Sequence, residues 1–144
     1  MAEQLQANAA LLKQQLMAQS LPPEQLVSIV SRTLHNMADT RATSGEEERY
    51  SHIDLNGFAA NLQTTRKVVD LLRPLLAKNN ADILLNIDNA STALDTELDT
   101  FKTAQGYATY ATVRAAQRQA ISNKAKALAD ALDGIDPALG LSGL

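Results

Sequence analysis

Apolar residues recur at spacings of three and four along almost the whole chain, which is the pattern of amphipathic α-helices. The pattern predicts five helices, over residues 3–19, 23–41, 54–78, 81–103 and 111–133. Each predicted helix carries one apolar stripe, so we expect the stripes to face a shared core. The residues expected in that core are Leu5, Ala9, Leu12, Leu16, Leu26, Val30, Leu34, Met37, Leu55, Phe58, Leu62, Thr65, Val69, Leu72, Leu76, Leu84, Ile87, Ser91, Leu94, Leu98, Phe101, Val113, Ala116, Ala120, Ile121, Leu128 and Leu132.

Helix-breaking residues separate these segments, because proline cannot continue a helix and Gly and Asn favour turns. The predicted breaks are Pro22–Pro23, Ser44–Gly45, Asn79–Asn80, Gln105–Gly106, and Gly134 with Pro137.

Two further backbone features are expected. Pro74 lies inside the third predicted helix, where it removes one backbone hydrogen bond, so we expect a kink or an early end there. Residues 138–144 are expected to form an extended or frayed tail.

The predicted fold class is all-α. No segment shows sustained strand alternation, and the short connections favour antiparallel neighbours, so we expect an up-and-down four-helix-type bundle with about five helices. With 144 residues, the chain is expected to form one domain: an N-terminal helix in 1–22, a bundle in 23–137 and the tail in 138–144.

Composition narrows the classes of partner. The net charge is −3 and there is no basic patch, so nucleic acid is not an expected partner. The absence of Cys excludes disulfides, thiolate catalysis and Cys-based zinc sites. No run of about 18 apolar residues is present, so we expect no membrane span. The first residues lack the basic and apolar regions of a signal peptide.

Residues 44–55, the acidic segment, concentrate the candidate chemistry. Glu46, Glu47, Glu48, His52 and Asp54 supply carboxylate oxygens and an imidazole, which are ligands for hard and borderline metal ions. The competing interpretation is that acidic residues before a helix complement its positive N-terminal dipole and are otherwise solvated.

The remaining polar candidates favour structural roles. His35, on the second predicted helix, is expected to be packed or half-exposed rather than a ligand. Tyr107 and Tyr110 are expected to cap the bundle with their rings. We find no nucleophile with a paired base and no Gly-rich phosphate loop, so the chain is predicted not to be an enzyme.

Several segments resemble the second half of imelysin-like proteins, most closely the EfeO-type iron-uptake branch of that family. They are Gly45–His52, Asp54–Leu55, Val68–Leu76, Gly106–Tyr107 and Tyr110. The resemblance covers the chain from about Pro23 onward.

The resemblance implies an all-helical fold of two related four-helix bundles with a cleft between them. It also implies a periplasmic or surface-bound protein that binds iron, or alternatively zinc or copper, for uptake. The family's His-x-x-Glu motif lies in its first bundle and is missing from this sequence. By the resemblance, the chain looks like the second bundle alone: an excised fragment, a naturally short relative or one half of an assembly. The expected metal ligands are Glu46, Glu47, His52 and Asp54, with Arg49 and Tyr50 beside them.

Two other functions stay open. A non-catalytic helical interaction module would form a homodimer or pair with a partner bundle through an exposed apolar face. A hydrolase would need a water-activating metal and a general base, which only the carboxylates of the acidic segment offer, so this function ranks last.

Overall fold

The computed structural model describes residues 22–44 and 52–140. The predicted helix over 3–19 and most of the acidic segment lie outside this part of the chain. The elements in chain order are α1 (Pro23–Asn36), a π-helical turn (Met37–Arg41), α2 (Ala42–Ser44), α3 (Asp54–Asn79), α4 (Ala81–Asp99), β1 (Lys102–Thr103), β2 (Gly106–Tyr107), a 3-10 turn (Tyr110–Thr112), α5 (Ala115–Asp133) and α6 (Ile135–Leu139).

The four long helices form a bundle in which α1, α3, α4 and α5 each contact the next around a ring. Polar contacts show that α1 and α5 are antiparallel. Ser31 pairs with Asp133 near the end of α5, whereas Ser122, earlier on α5, donates to the carbonyl of Ala38 in the π-helical turn that follows α1. The predicted all-α class is therefore confirmed. No helix in the described ranges is both long and apolar enough to cross a bilayer.

Ion pairs hold α3 against α4. Arg73 binds both carboxylate oxygens of Asp88 at 2.9 Å, and Arg66 binds Asp95 at 2.9 Å. The hydrogen bond from Arg73 holds the pKa of Asp88 below its ordinary value. Because all four side chains are about two-fifths exposed, each pair contributes at most about 1 kcal/mol, and its main effect is to fix the antiparallel register.

The core is built from the predicted stripes. The largest fully buried side chains include Phe58, Leu62, Leu94 and Leu128, and each stabilises the fold by about 1.5–3 kcal/mol through burial. The predicted core position of Ala116 is wrong, because this residue lies on the solvent-exposed side of α5. The remaining described stripe positions are buried or half-buried.

The second predicted helix extends beyond its expected end. The predicted end is residue 41, but the chain continues through the π-helical turn and α2 to Ser44. Tertiary hydrogen bonds from Ser122 to the carbonyl of Ala38 and from Tyr110 to that of Ala42 accompany this irregular stretch. These contacts lie far away in sequence, so helical periodicity alone did not reveal them.

α3 passes through Pro74 and ends at Asn79, so of the two expected outcomes, a kink or an early end, the early end does not occur. Pro74 is exposed. The predicted start at Asp54 is confirmed. The side chain of Asn80 then accepts a hydrogen bond from the Ile83 N–H and caps α4.

The fourth predicted helix ends early, at Asp99 rather than at residue 103. Lys102 pairs with Tyr107 and Thr103 with Gly106 in a short antiparallel hairpin. Gly106 has φ +126°, which L-residues rarely adopt, so it permits the reversal. This hairpin was not predicted because its strands are too short to show alternation.

α5 begins at Ala115, later than predicted, because Val113 and Arg114 are extended and Gln117 accepts from the Arg114 backbone N–H at 3.0 Å. Pro137 does not end the helical structure after α5, because it lies inside α6. Residues 138–139 are therefore helical rather than extended or frayed, and 141–144 lie outside the described residues.

Candidate functional site

The acidic segment is described only at its two ends. Glu46, Glu47, Arg49 and Tyr50 lie outside the described residues, so their predicted roles stay predictions. His52 and Asp54 are described, and both lie where the end of α2, the start of α3 and the 3-10 turn meet. We call His52, Asp54, Phe58, Tyr110 and Arg118 the Tyr110 corner.

His52 has an unusual backbone. Its φ is +55°, and among the described residues no other non-glycine has a positive φ. Its carbonyl accepts a hydrogen bond from the Tyr110 N–H at 3.0 Å. Histidine adopts this left-handed region more readily than most residues, yet such conformations persist only where the surroundings fix them and they concentrate at functional sites. The 3-10 turn thus holds the backbone of His52, two residues before the start of α3.

Asp54 is 2% exposed although it is a carboxylate. It lies in the first turn of α3, where the positive end of the helix dipole stabilises a negative charge. It also lies close enough to Tyr110 to raise the pKa of that phenol. The structure therefore places this candidate ligand, buried, in the first turn of a helix.

Tyr110 organises the corner. It is 1% exposed, its hydroxyl donates to the Ala42 carbonyl, and its ring meets Phe58 edge to face at 5.6 Å between centroids. The Arg118 guanidinium lies 4.7 Å from the ring centre and donates to the Val113 carbonyl at 2.9 Å. The prediction that this tyrosine caps the bundle with its ring agrees with these contacts.

Burial raises the pKa of Tyr110 to about 12, with Arg118 acting in the opposite direction and Asp54 adding to the rise. The phenol is therefore protonated at neutral pH and acts as a hydrogen-bond donor rather than a nucleophile. A cleft of about 320 Å³, lined by Thr43, Val113, Ala115, Arg118 and Gln119, opens beside the corner.

A second polar group lies elsewhere on the bundle, and we call His35, Asp130 and Asp133 the His35 cluster. His35 Nε2 lies 2.9 Å from Asp133 Oδ2, and the Ser31 hydroxyl donates to Asp133 Oδ1. Burial raises the pKa of Asp133, but the hydrogen bonds from Ser31 and His35 outweigh it, so that pKa lies below its ordinary value. His35 is about one-third exposed, as predicted, but its acidic neighbours were not foreseen.

Sequence comparison assigns the family. The imelysin family model, which also carries the label peptidase M75, matches residues 1–135. The chain belongs to the imelysin family. Its match includes the acidic segment and all the helices of the bundle.

Among individual imelysin-family relatives, the chain is 36% identical over 140 residues to the "Iron uptake system component EfeO" of Escherichia coli K12 and to that of Shigella flexneri. The aligned region is 97% of this chain but 37% of each relative. The chain therefore spans little more than a third of the length of these relatives.

Proposed function

We propose that this imelysin-family chain binds iron as cargo in a periplasmic uptake system and catalyses no reaction. The proposed ligands are Glu46, Glu47, His52 and Asp54, with zinc or copper as alternative ions. Relatives named as iron uptake components support the role. The hydrogen-bonded backbone of His52 and the burial of Asp54 support the location.

The observation that carries the proposal is the way the Tyr110 corner holds its two described ligand residues. Asp54 is buried at a helix start, and the carbonyl of His52 is bound to Tyr110. A buried carboxylate and a residue whose backbone is already held lose less conformational entropy when an ion binds than side chains on a free segment would. Their mixed oxygen and nitrogen donors fit iron, zinc or copper better than calcium or magnesium.

A non-enzymatic role agrees with the chemistry of the corner. Its buried hydroxyl belongs to Tyr110, which is protonated at neutral pH and already donates to a backbone carbonyl. Arg118 is engaged with the Val113 carbonyl and with the Tyr110 ring. The described part of the corner thus offers anchoring groups for a cation rather than a nucleophile and its base.

The test is a calorimetric titration of the chain with ferric citrate, and in parallel with zinc and copper(II). We expect binding tighter than millimolar, weakened about tenfold or more by His52→Asn and by Glu47→Gln because each removes a ligand. Asn is the substitution of choice at position 52, since it tolerates the left-handed backbone that Ala strains.

Asp99→Asn is the matched control, because it removes an exposed carboxylate on α4 that pairs with Lys102 instead of facing the corner. Thermal melts of all variants establish that each is folded. Binding no tighter than millimolar, or equal affinity in the wild type and His52→Asn, would reject the proposal.

The alternative function, an interaction module, has one observation in its favour. Leu71 and Leu75 lie one turn apart on α3 and are 71% and 50% exposed. Exposed apolar surface of this kind marks contact sites. This alternative predicts a mass of twice 15.5 kDa by light scattering at micromolar concentration, returned to the monomer value by Leu71→Ser. A monomeric wild type would exclude self-association.

A further inference from the structure

The His35 cluster lies far from the Tyr110 corner. Its carboxylates belong to the last turn of α5, whereas the corner lies next to the first turn. From Arg118 of the corner to Asp130 of the cluster, α5 advances by 12 residues, which correspond to about 18 Å of helix. The two groups of side chains are therefore separate features of the fold.

The cluster has the geometry of a cation site. One ligand atom from each of His35, Asp130 and Asp133 lies within 4.8 Å of the others. Metal bonds of about 2.0–2.2 Å place neighbouring ligand atoms about 3–4 Å apart, so small side-chain rotations suffice to bring all three onto one ion. Asp130 and Asp133 are one helical turn apart and share a face, while His35 approaches from α1.

The local electrostatics favour a cation. The last turn of α5 contains no basic residue, although the C-terminal end of a helix is its negative end. Asp130 and Asp133 add two carboxylates there, and Asp136 follows in the first turn of α6. A helix end normally carries basic residues to offset its dipole, so this arrangement concentrates negative charge that a bound cation would neutralise.

Asp136 supplies an independent observation. Its Oδ1 atom is buried and has no hydrogen-bond partner among the described residues. Buried carboxylate oxygens normally have a partner, and one without a partner calls for an explanation such as an ion. Asp136 lines the same cleft of about 320 Å³ as Ser31, His35 and Asp133, so an ion with its water ligands has access.

Two basic side chains also lie at this site. Lys126 binds Asp130 at 3.1 Å, and Arg32 lines the cleft. The Lys126 side chain is 54% exposed and Arg32 is also exposed, so both can move into solvent when an ion enters. Surface pairs of this kind are weak. They compete with a metal ion without blocking it.

We propose that the His35 cluster is a second metal site, which binds a divalent first-row transition ion through His35 Nε2 and the carboxylates of Asp130 and Asp133. The imidazole selects such an ion over calcium or magnesium. On binding, the contact between His35 Nε2 and Asp133 Oδ2 is broken, and any proton on Nε2 moves to Nδ1 or is released to solvent so that the Nε2 lone pair can bind the ion. The site neither requires nor contributes to iron binding at the Tyr110 corner.

The test uses zinc and the imidazole signals of the intact chain. With two histidines in the sequence, a His52→Asn variant leaves the His35 signals as the one imidazole set in a ¹H–¹⁵N spectrum. We expect zinc to shift these signals at micromolar concentration. Asp130→Asn should weaken the binding about tenfold or more. Asp130 is exposed, so this variant is expected to fold, and a thermal melt checks it.

Asp99→Asn is again the matched control, because Asp99 and Asp130 are both exposed helix carboxylates paired with a lysine. It should leave zinc binding at His35 unchanged. Signals of His35 that do not move up to millimolar zinc would overturn the proposal, and so would equal affinities in Asp130→Asn and Asp99→Asn. Neither result bears on iron binding at His52, which is measured separately.

Discussion

Replacing Phe58 by Ala is expected to lower the free energy of unfolding by about 3–5 kcal/mol. Phe58 is 1% exposed and lies on α3, one turn after Asp54, with its ring against the edge of Tyr110. The substitution leaves a cavity in the core and also removes an aromatic pair worth about 0.5–1.5 kcal/mol. Urea unfolding followed by circular dichroism measures the loss.

Leu71→Ala is the control on the same helix. Leu71 is 71% exposed, so its truncation should change the unfolding free energy by no more than about 0.5 kcal/mol. A loss below about 1 kcal/mol for Phe58→Ala would contradict the packing described for the Tyr110 corner.

Replacing Tyr110 by Phe should cost about 1–3 kcal/mol at neutral pH, because the buried Ala42 carbonyl loses its hydrogen bond from the hydroxyl. The ring contacts with Phe58 and Arg118 are retained, so the substitution isolates the hydroxyl. Tyr107→Phe makes the same chemical change at a half-buried position of the hairpin and serves as the control.

The contribution of the Tyr110 hydroxyl to the free energy of unfolding should also depend on pH. The phenol has a pKa of about 10 in the unfolded chain and about 12 in the folded one, because burial disfavours the phenolate. A raised folded pKa means that its stabilisation is complete below pH 10 and is lost as the pH rises from about 10 to about 12. Between these two pH values, the contribution of this group to the free energy of unfolding of the wild type should fall by up to about 1.4 kcal/mol per pH unit.

Urea unfolding at several pH values between 8 and 12 tests this dependence. The difference between the wild type and Tyr110→Phe should shrink above pH 10. A wild type and a Tyr110→Phe variant that lose stability in parallel throughout this range would show that the hydroxyl is not buried as described.

The helices of the bundle could be predicted because each buries one stripe. Leu55, Leu62 and Leu76 on α3 follow the three-and-four spacing without interruption, and all three are buried. The spacing does not encode where a helix ends when a distant contact decides it. The extension to Ser44 involves Tyr110, 68 residues from Ala42, and the early end of α4 accompanies a hairpin that requires the positive φ of Gly106.

The candidate sites show the same limit. Local composition and the helical pattern predict Asp54 as a candidate ligand at a helix start, but they do not reveal its burial. His35 was set aside because its own neighbours in sequence are ordinary. Its partner Asp133 lies 98 residues away. The available signal was the spacing of Asp130, Asp133 and Asp136 by three, which places carboxylates along one side of a helix end.

The π-helical turn fixes the rotational phase between the two parts of the helix that begins at Pro23. The turn between Met37 and Arg41 holds one residue more than a regular helical turn. A deletion of one residue there would restore ordinary α-helical pairing and would turn everything after it by about 100° relative to His35. The Ala42 carbonyl would then point away from Tyr110 while His35 still faced Asp133. The number of residues in this turn is therefore constrained, because the contact of Tyr110 with Ala42 and that of His35 with Asp133 must form at the same time.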